Sequence, residues 1–264
     1  EAGAQPDARD GEGVVALLTA CELGALECAK VLLSWGANID AQDDQGATAL
    51  LLAGQNDHQG CLRALLHTGA DPNLATIDGW TVLHLCVQDD NDACVQLLLE
   101  SGADAESLNG EGHSPLFVAA EFGSLRSAKL LLAIGGVDPS RRLALSGQSV
   151  PAGKVAAMYG QADVVTLLKK SKPPSDEAKA AVGERMDGHA ARRAELSAAH
   201  YAASKAKGGA GLDTAFERMA LGAEGVERVS NFRVTCNGKP AGKKPKGPRT
   251  PKEGKGAARD GKEG

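Results

Sequence analysis

Aromatic side chains are scarce: two Trp, two Tyr and four Phe make up 3% of 264 residues. A buried interior must therefore be assembled mainly from Leu, Val and Ala, which favours many small helices in close contact. Long hydrophobic runs are also missing. No stretch approaches the roughly 18 apolar residues of a membrane helix, and the opening EAGAQPDARDGEG is polar and acidic, unlike a secretory leader. The expectation is a soluble intracellular protein, cytoplasmic, with the nucleus as the alternative. The first residue is Glu rather than Met, as in a processed product or a piece of a longer chain. Six cysteines without a leader point to a reducing compartment, and none forms a C-x-x-C pair of the kind that holds zinc.

Charge is unevenly spread. Residues 1–170 carry 10 Lys and Arg against 22 Asp and Glu, whereas 171–264 carry 19 against 12, and 231–264 alone hold 10 against 3. An acidic body is joined to a basic end.

What the chain does have is repetition. KVLLSWGANID (30–40) returns as RALLHTGADPN (63–73), QLLLESGADAE (96–106) and KLLLAIGGVDP (129–139), each 33 residues after the last. A fixed period of this size means stacked supersecondary units. Units start near 13, 46, 79, 112 and 147, the fifth stretched by a few residues. A leucine column, Leu32, Leu65, Leu98, Leu131 and Leu168, runs through all five and predicts one continuous core. Thr48, Thr81 and Ser114 stand where a hydroxyl would cap a first helix, with Pro115 at the position its fixed φ suits. Gly24, Asp57, Asp90, Gly123 and Gly160 are expected to end the first helices in left-handed geometry, and Gly36, Gly69, Gly102 and Gly135 the second. Gly54, inside a first helix at a cost of about 1 kcal/mol, should loosen the second unit. Lys169 and Lys170 replace apolar residues in the last helix, as suits a capping repeat whose outer face meets water.

Chemical motifs fare poorly against plainer readings. The column Cys28, Cys61 and Cys94 continues as Ser127 and Val164, so a small core side chain accounts for it. Equivalent residues of stacked helices, roughly 8–10 Å apart, lie beyond the reach of a disulfide. His84 beside Cys86 reads as a repeat-capping histidine rather than a metal ligand. GQSVPAGKV (147–155) misses the phosphate-loop spacing by one residue, carries Val155 where Ser or Thr is needed, and no strand is expected before it. GHSPL (112–116) lacks the last glycine of a nucleophile elbow. GGAGLDT (208–214) has glycines but no lysine and reads as a linker opening a helix. No catalytic residue, cofactor, metal ligand or small-molecule substrate is expected.

A 33-residue unit, a tetrapeptide like T-P-L-H opening the first helix (TALL at 48–51, TVLH at 81–84, SPLF at 114–117) and G-A-D or G-A-N after the second resemble the ankyrin-repeat family over about residues 13–170. The resemblance implies an all-α solenoid of helix-turn-helix units with hairpin-like loops, binding another protein through its loop tips and the concave face of its first helices. Transferred column by column, it assigns Asp44, Gln45, Ile77, Asp78, Trp80, Glu111 and His113 to the loop tips. Along the inner helices it assigns Glu22, Gln55, Asn56, Gln88, Asp89, Glu121, Phe122, Met158 and Tyr159. The acidity of that set suggests a partner with a basic surface, and Trp80, Phe122 and Tyr159 are either its aromatic anchors or props between neighbouring loops.

Residues 1–12 form a capping or disordered segment in this reading. A helical extension covers 171–230: a polar helix over 176–207, mostly exposed, and a stripe of Leu212, Phe216, Met219, Ala223 and Val226 that either covers the open end of the stack or docks on another protein. The Lys-, Pro- and Gly-rich 231–264 has the composition of a disordered tail. Three uses compete for it: simple solvation, contact with nucleic acid or an anionic membrane, and a strap across the protein's own acidic face. The functional expectation is a non-enzymatic scaffold. Binding through the basic tail is the main alternative, and a regulatory piece of a larger enzyme the third.

Overall fold

The computed structural model describes residues 5–11, 13–145 and 148–207. The stripe from Leu212 to Val226 and the tail 231–264 lie outside the described residues.

Ten short helices come in five pairs: α1 (Ala16–Glu22) with α2 (Leu26–Ser34), α3 (Ala49–Gln55) with α4 (Gln59–Thr68), α5 (Val82–Gln88) with α6 (Asp92–Glu100), α7 (Pro115–Phe122) with α8 (Leu125–Ala133), and α9 (Ala152–Met158) with α10 (Ala162–Lys170). At 7 to 10 residues, each is too short to persist alone in water and depends on its neighbours. First helices pack on first helices from α1 to α9, and second on second from α2 to α10. A fourfold run of one phrase thus becomes two parallel rows sharing one core. Leu65, Leu98 and Leu131 are fully buried and Leu168 nearly so.

Caps and turns fall where the sequence places them. The Thr48 and Ser114 hydroxyls accept the amides of Leu51 at 3.1 Å and Phe117 at 3.3 Å. At Thr81 the partner is His84: Nδ1 lies 2.8 Å from the threonine hydroxyl and accepts the Thr81 amide at 3.3 Å. Nδ1 is then the acceptor, so Nε2 carries the proton and donates to the His113 carbonyl of the next unit at 3.1 Å. Burial pushes the His84 pKa down to about 4, keeping the ring neutral in this role. The first helices do end in left-handed residues, including Asp57 at φ 57° and Asp90 at φ 51°.

Four local expectations change. The fourth unit turns at Gly136 (φ 63°), not Gly135; a Cβ at Gly135 would lie 2.7 Å from that of Ala105, so close approach explains this glycine. Gly54 is no defect either: a Cβ there would stand 2.5 Å from Val82 Cγ2, and its absence lets α3 and α5 close together. Cys61 and Cys94 are buried but Cys28 is exposed, and Leu32 is only half-buried. Cys94 Sγ reaches Asp57 of the preceding unit at 3.8 Å, whereas among the described residues no helix pair stands before α1 and α2 to cover Cys28 in the same way. The fifth unit opens with an antiparallel pair, β1 (Arg142–Leu145) and β2 (Gln148–Pro151). A strand therefore does precede α9, but the helix follows at Ala152 with no intervening loop to cradle a phosphate.

The last described element, α11 (Asp176–Lys207), runs back along the second helices. Val182 lies over Gly136, His189 over Gly102 and Leu196 over Gly69. Each step is seven residues, about 10.5 Å of helix at 1.5 Å per residue, close to the roughly 8–10 Å separation of packed helices. Polar anchors sit between: Arg185 donates to the Ile134 carbonyl at the end of α8, and Arg193 pairs with Asp71 at 3.1 Å. Cations there complement the negative ends of the second helices.

Candidate partner-binding surface

The loops joining each second helix to the next first helix form fingers, whose opening residues, Gly69 to Asp71 and Gly102 among them, lie against α11. A side-chain oxygen shapes each finger by accepting an amide four residues on: Asp10 from Val14, Asp43 from Ala47, Thr76 from Trp80 and Asn109 from His113. Gly13, Gly46, Gly79 and Gly112 turn them, all near φ 75°. At Gly79 the backbone of Gly110 is so close that an added Cβ would lie 2.6 Å from its nitrogen. Neighbouring fingers are then joined: the Ile77 amide donates to the Gln45 carbonyl at 3.0 Å and the Gly110 amide to the Asp78 carbonyl at 2.8 Å. Gln42 adds a side-chain tie to the carbonyls of Gly46 and Ala75. Below them a second ladder crosses the units, with Asp7, Asp40 and Asn73 accepting the amides of Asn38, Asp71 and Asp104. The fingers thus form a row held by these bonds, none of which uses a tip side chain.

Those tips are Asp44, Gln45, Ile77, Asp78 and Glu111, all exposed, Ile77 to 74%. Neither Asp44 nor Asp78 forms an ion pair among the described residues; Glu111 approaches His113 at 3.4 Å. Asn56, Asp89 and Phe122 are exposed at the ends of the first helices, and Gln55, Gln88 and Glu121 are half-buried beside them. Phe122, Met158 and Tyr159 crowd the adjoining ends of α7 and α9 and are exposed by 37%, 63% and 40%. Partial burial, and then the Glu121 carboxylate beside it, raise the Tyr159 phenol above its ordinary pKa. The row is therefore acidic at the finger tips of the second to fourth units and apolar at the helix ends of the fourth and fifth.

Two assigned residues point inward. His113 is buried and stacks on Phe117 with ring centroids 4.0 Å apart. Trp80 is half-buried, packed on the core and edge-on to His84 at 5.8 Å. Among the described residues two exposed large apolar side chains were not in the assigned set: Leu108, on the fourth finger, and Leu23, at the end of α1, exposed by 48% and 63%. The available signal for Leu108 is an apolar residue in a column otherwise holding Arg9, Gln42 and Ala75.

Among the described residues no group of three His, Cys, Asp or Glu is placed to hold a metal ion, and no helix is long and apolar enough to cross a membrane. Gaps of about 200 Å³ and 610 Å³ flank α11. No curated protein resembles the chain at a significant level. The family described as ankyrin repeats (3 copies) matches it twice, over residues 2–76 and 68–142, together more than half of its length. Repeat period, helix pairing, His84 bridge and family match agree, and the chain belongs to the ankyrin-repeat family, whose repeats are in general protein–protein interaction modules.

Proposed function

We propose that this protein is a non-enzymatic scaffold whose fingers and first-helix ends bind a basic segment of another protein. The observation that carries the reading is the row of exposed carboxylates, Asp44, Asp78 and Glu111, one unit apart on fingers already bonded to each other. Because those bonds already hold the fingers in place, a visitor costs the face little ordering, which is where preorganised sites gain affinity. The apolar corner of Phe122, Met158 and Tyr159 supplies the desolvated contact that a charged row alone lacks. Trp80 and His113 then act as props beneath the face. A cytoplasmic location, with nuclear entry as the alternative, accompanies this reading.

Selection from a random peptide display library tests it. Bound sequences should be enriched in Lys and Arg together with one large apolar residue. Enrichment of acidic or purely apolar sequences would contradict the reading.

A second reading draws on the excess of 10 basic over 3 acidic residues in 231–264: contact with nucleic acid or an anionic membrane through the tail. Retention on heparin that disappears when 231–264 are removed, with peptide capture lost at the same time, would favour it.

A further inference from the structure

Three buried side-chain polar atoms among the described residues have no hydrogen-bond partner: Asn109 Nδ2, Ser127 Oγ and Arg185 Nε. Of these residues only Arg185 lines one of the two gaps beside α11, the larger. The geometry points to a small-molecule site in that gap, for a monocarboxylate with an apolar body. It uses none of the finger-tip or first-helix residues of the reading above and stands independently of it.

The gap, about 610 Å³, lies between α11 and the loops that follow α6 and α8, and ligand sites in general occupy roughly 300–1,000 Å³. Lys179, Val182, Arg185 and Met186 follow one another at three- and four-residue steps and so share one face of the helix. That face meets the stack at Val182 over Gly136 and at His189 over Gly102, where an added Cβ would lie 2.8 and 2.7 Å from the side chain. Arg185 and Met186 fall between those two contacts. The walls are largely apolar: Leu99, Ala103 and Ala105 are buried, and Val182 and Met186 half-buried. No motif announces the site, because its parts come from two loops and a helix far apart in the chain.

Charged side chains of both signs line the gap, and they are not equally occupied. Glu106 is paired with Arg141. Asp104 accepts the Glu106 amide at 2.9 Å, and Asp138 accepts the Ser140 amide at 2.8 Å and its hydroxyl at 2.6 Å. Each carboxylate thus has a partner that holds its own loop. Arg185 gives Nη2 to the Ile134 carbonyl, a neutral acceptor, and its Nε stays idle within the protein. Neither Arg185 nor Lys179 forms an ion pair among the described residues. A buried donor on a cation is costly to leave unmet, and an anionic acceptor relieves it best. A carboxylate matches the planar guanidinium fork. Asp104, Glu106 and Asp138 around it repel a multiply charged guest such as a nucleotide, while the apolar walls take a hydrocarbon body. What fits is one negative charge on an apolar frame.

NMR of the full chain, labelled with carbon-13 at its methionine methyls, tests the site. Met186 lines the gap, whereas Met158 lies at the apolar corner of α7 and α9. Phenylbutyrate should shift the Met186 signal saturably and leave Met158 in place. Phenylbutanol, the same body without the charge, should bind at least tenfold more weakly. In Arg185→Gln the acid should lose that advantage and bind as the alcohol does. Because Arg185 also seats α11, Lys179→Gln is the companion variant: its side chain is exposed at the rim, so the ligand-free Met186 signal should keep its place while the acid weakens about twofold to fivefold and the alcohol is unchanged. No Met186 shift with either compound at roughly millimolar concentration overturns the site, as does equal affinity of acid and alcohol for the native chain. A Met158 shift in parallel, or an acid advantage that survives in Arg185→Gln, overturns the placement at Arg185. Displacement of phenylbutyrate by inorganic phosphate overturns the choice of a monocarboxylate.

Discussion

The finger tips and the seat of α11 solve the same problem in opposite ways. At the tips, the first four units repeat the same turn, backbone bonds join the second finger to the third and the third to the fourth, and the tip side chains are left over. On the α11 side, a single non-repeating helix covers the row, and its side chains are the bonds: Arg185 to the end of α8, Arg193 to Asp71, His189 above Gly102. The tip side chains can change without cost to the fold, whereas those that seat α11 cannot. A surface freed of structural duty is where a repeat protein can evolve recognition.

That contrast can be broken or sharpened by substitution. The largest effect belongs to the core both sides share: Leu98→Ala, in the middle of the stack, should cost about 2–5 kcal/mol and loosen the flanking units, read as a lowered thermal midpoint and faster hydrogen exchange in α4 and α8. Next comes acid. Folded, His84 stays neutral down to about pH 4, while unfolded it takes up a proton near its ordinary 6.5. Its contribution is complete above pH 6.5 and is lost as pH falls from there to about 4, on the order of 3 kcal/mol. A thermal-midpoint profile over that range should be flatter in His84→Leu, which carries the residue that Leu18 and Leu51 provide in the first two units.

On the α11 side, inserting one alanine after His189 rotates Arg193 and Leu196 by about 100° off the stack. The expected loss is roughly 1–3 kcal/mol by thermal unfolding, in the range of a broken polar and packing contact. Inserting seven residues should restore most of it, because the register advances by a whole unit. Equal losses for both insertions would show that the seven-residue match has no role. A smaller effect comes from Gly54→Ala. Helix propensity alone favours it by about 1 kcal/mol, but the clash with Val82 should outweigh that and leave a net loss of about 1 kcal/mol.

Legibility in the sequence divides along the same line. Capping by Thr48 and Ser114, the left-handed Asp57 and Asp90, and the buried leucines of the middle units were readable because each obeys a constraint that recurs every 33 residues. Exceptions arise where the surroundings do not repeat. Cys28 and Leu32 share their columns but, among the described residues, have no helix pair before their own to cover them. Gly54 and Gly135 are explained by close neighbours, Val82 and Cys86 for the first and Ala105 and the Leu131 carbonyl for the second, which no column reveals. The seat of α11 escaped detection because its contact stripe mixes Val182, Met186 and Leu196 with Arg185, His189 and Arg193, so that no apolar period shows. At the candidate site, the exposed tips Asp44, Ile77, Asp78 and Glu111 follow from their columns, whereas the inward turn of His113 depends on the ring of Phe117.

The claim that finger-tip charge serves recognition and not folding can be put to one paired measurement on Asp44→Asn, Asp78→Asn, Glu111→Gln: the thermal midpoint, and affinity for a basic peptide chosen by display. The account predicts a stability change within about 0.5 kcal/mol and a loss of affinity of tenfold or more at low salt. A variant that binds as tightly as the native chain, or that unfolds several degrees earlier, would contradict it.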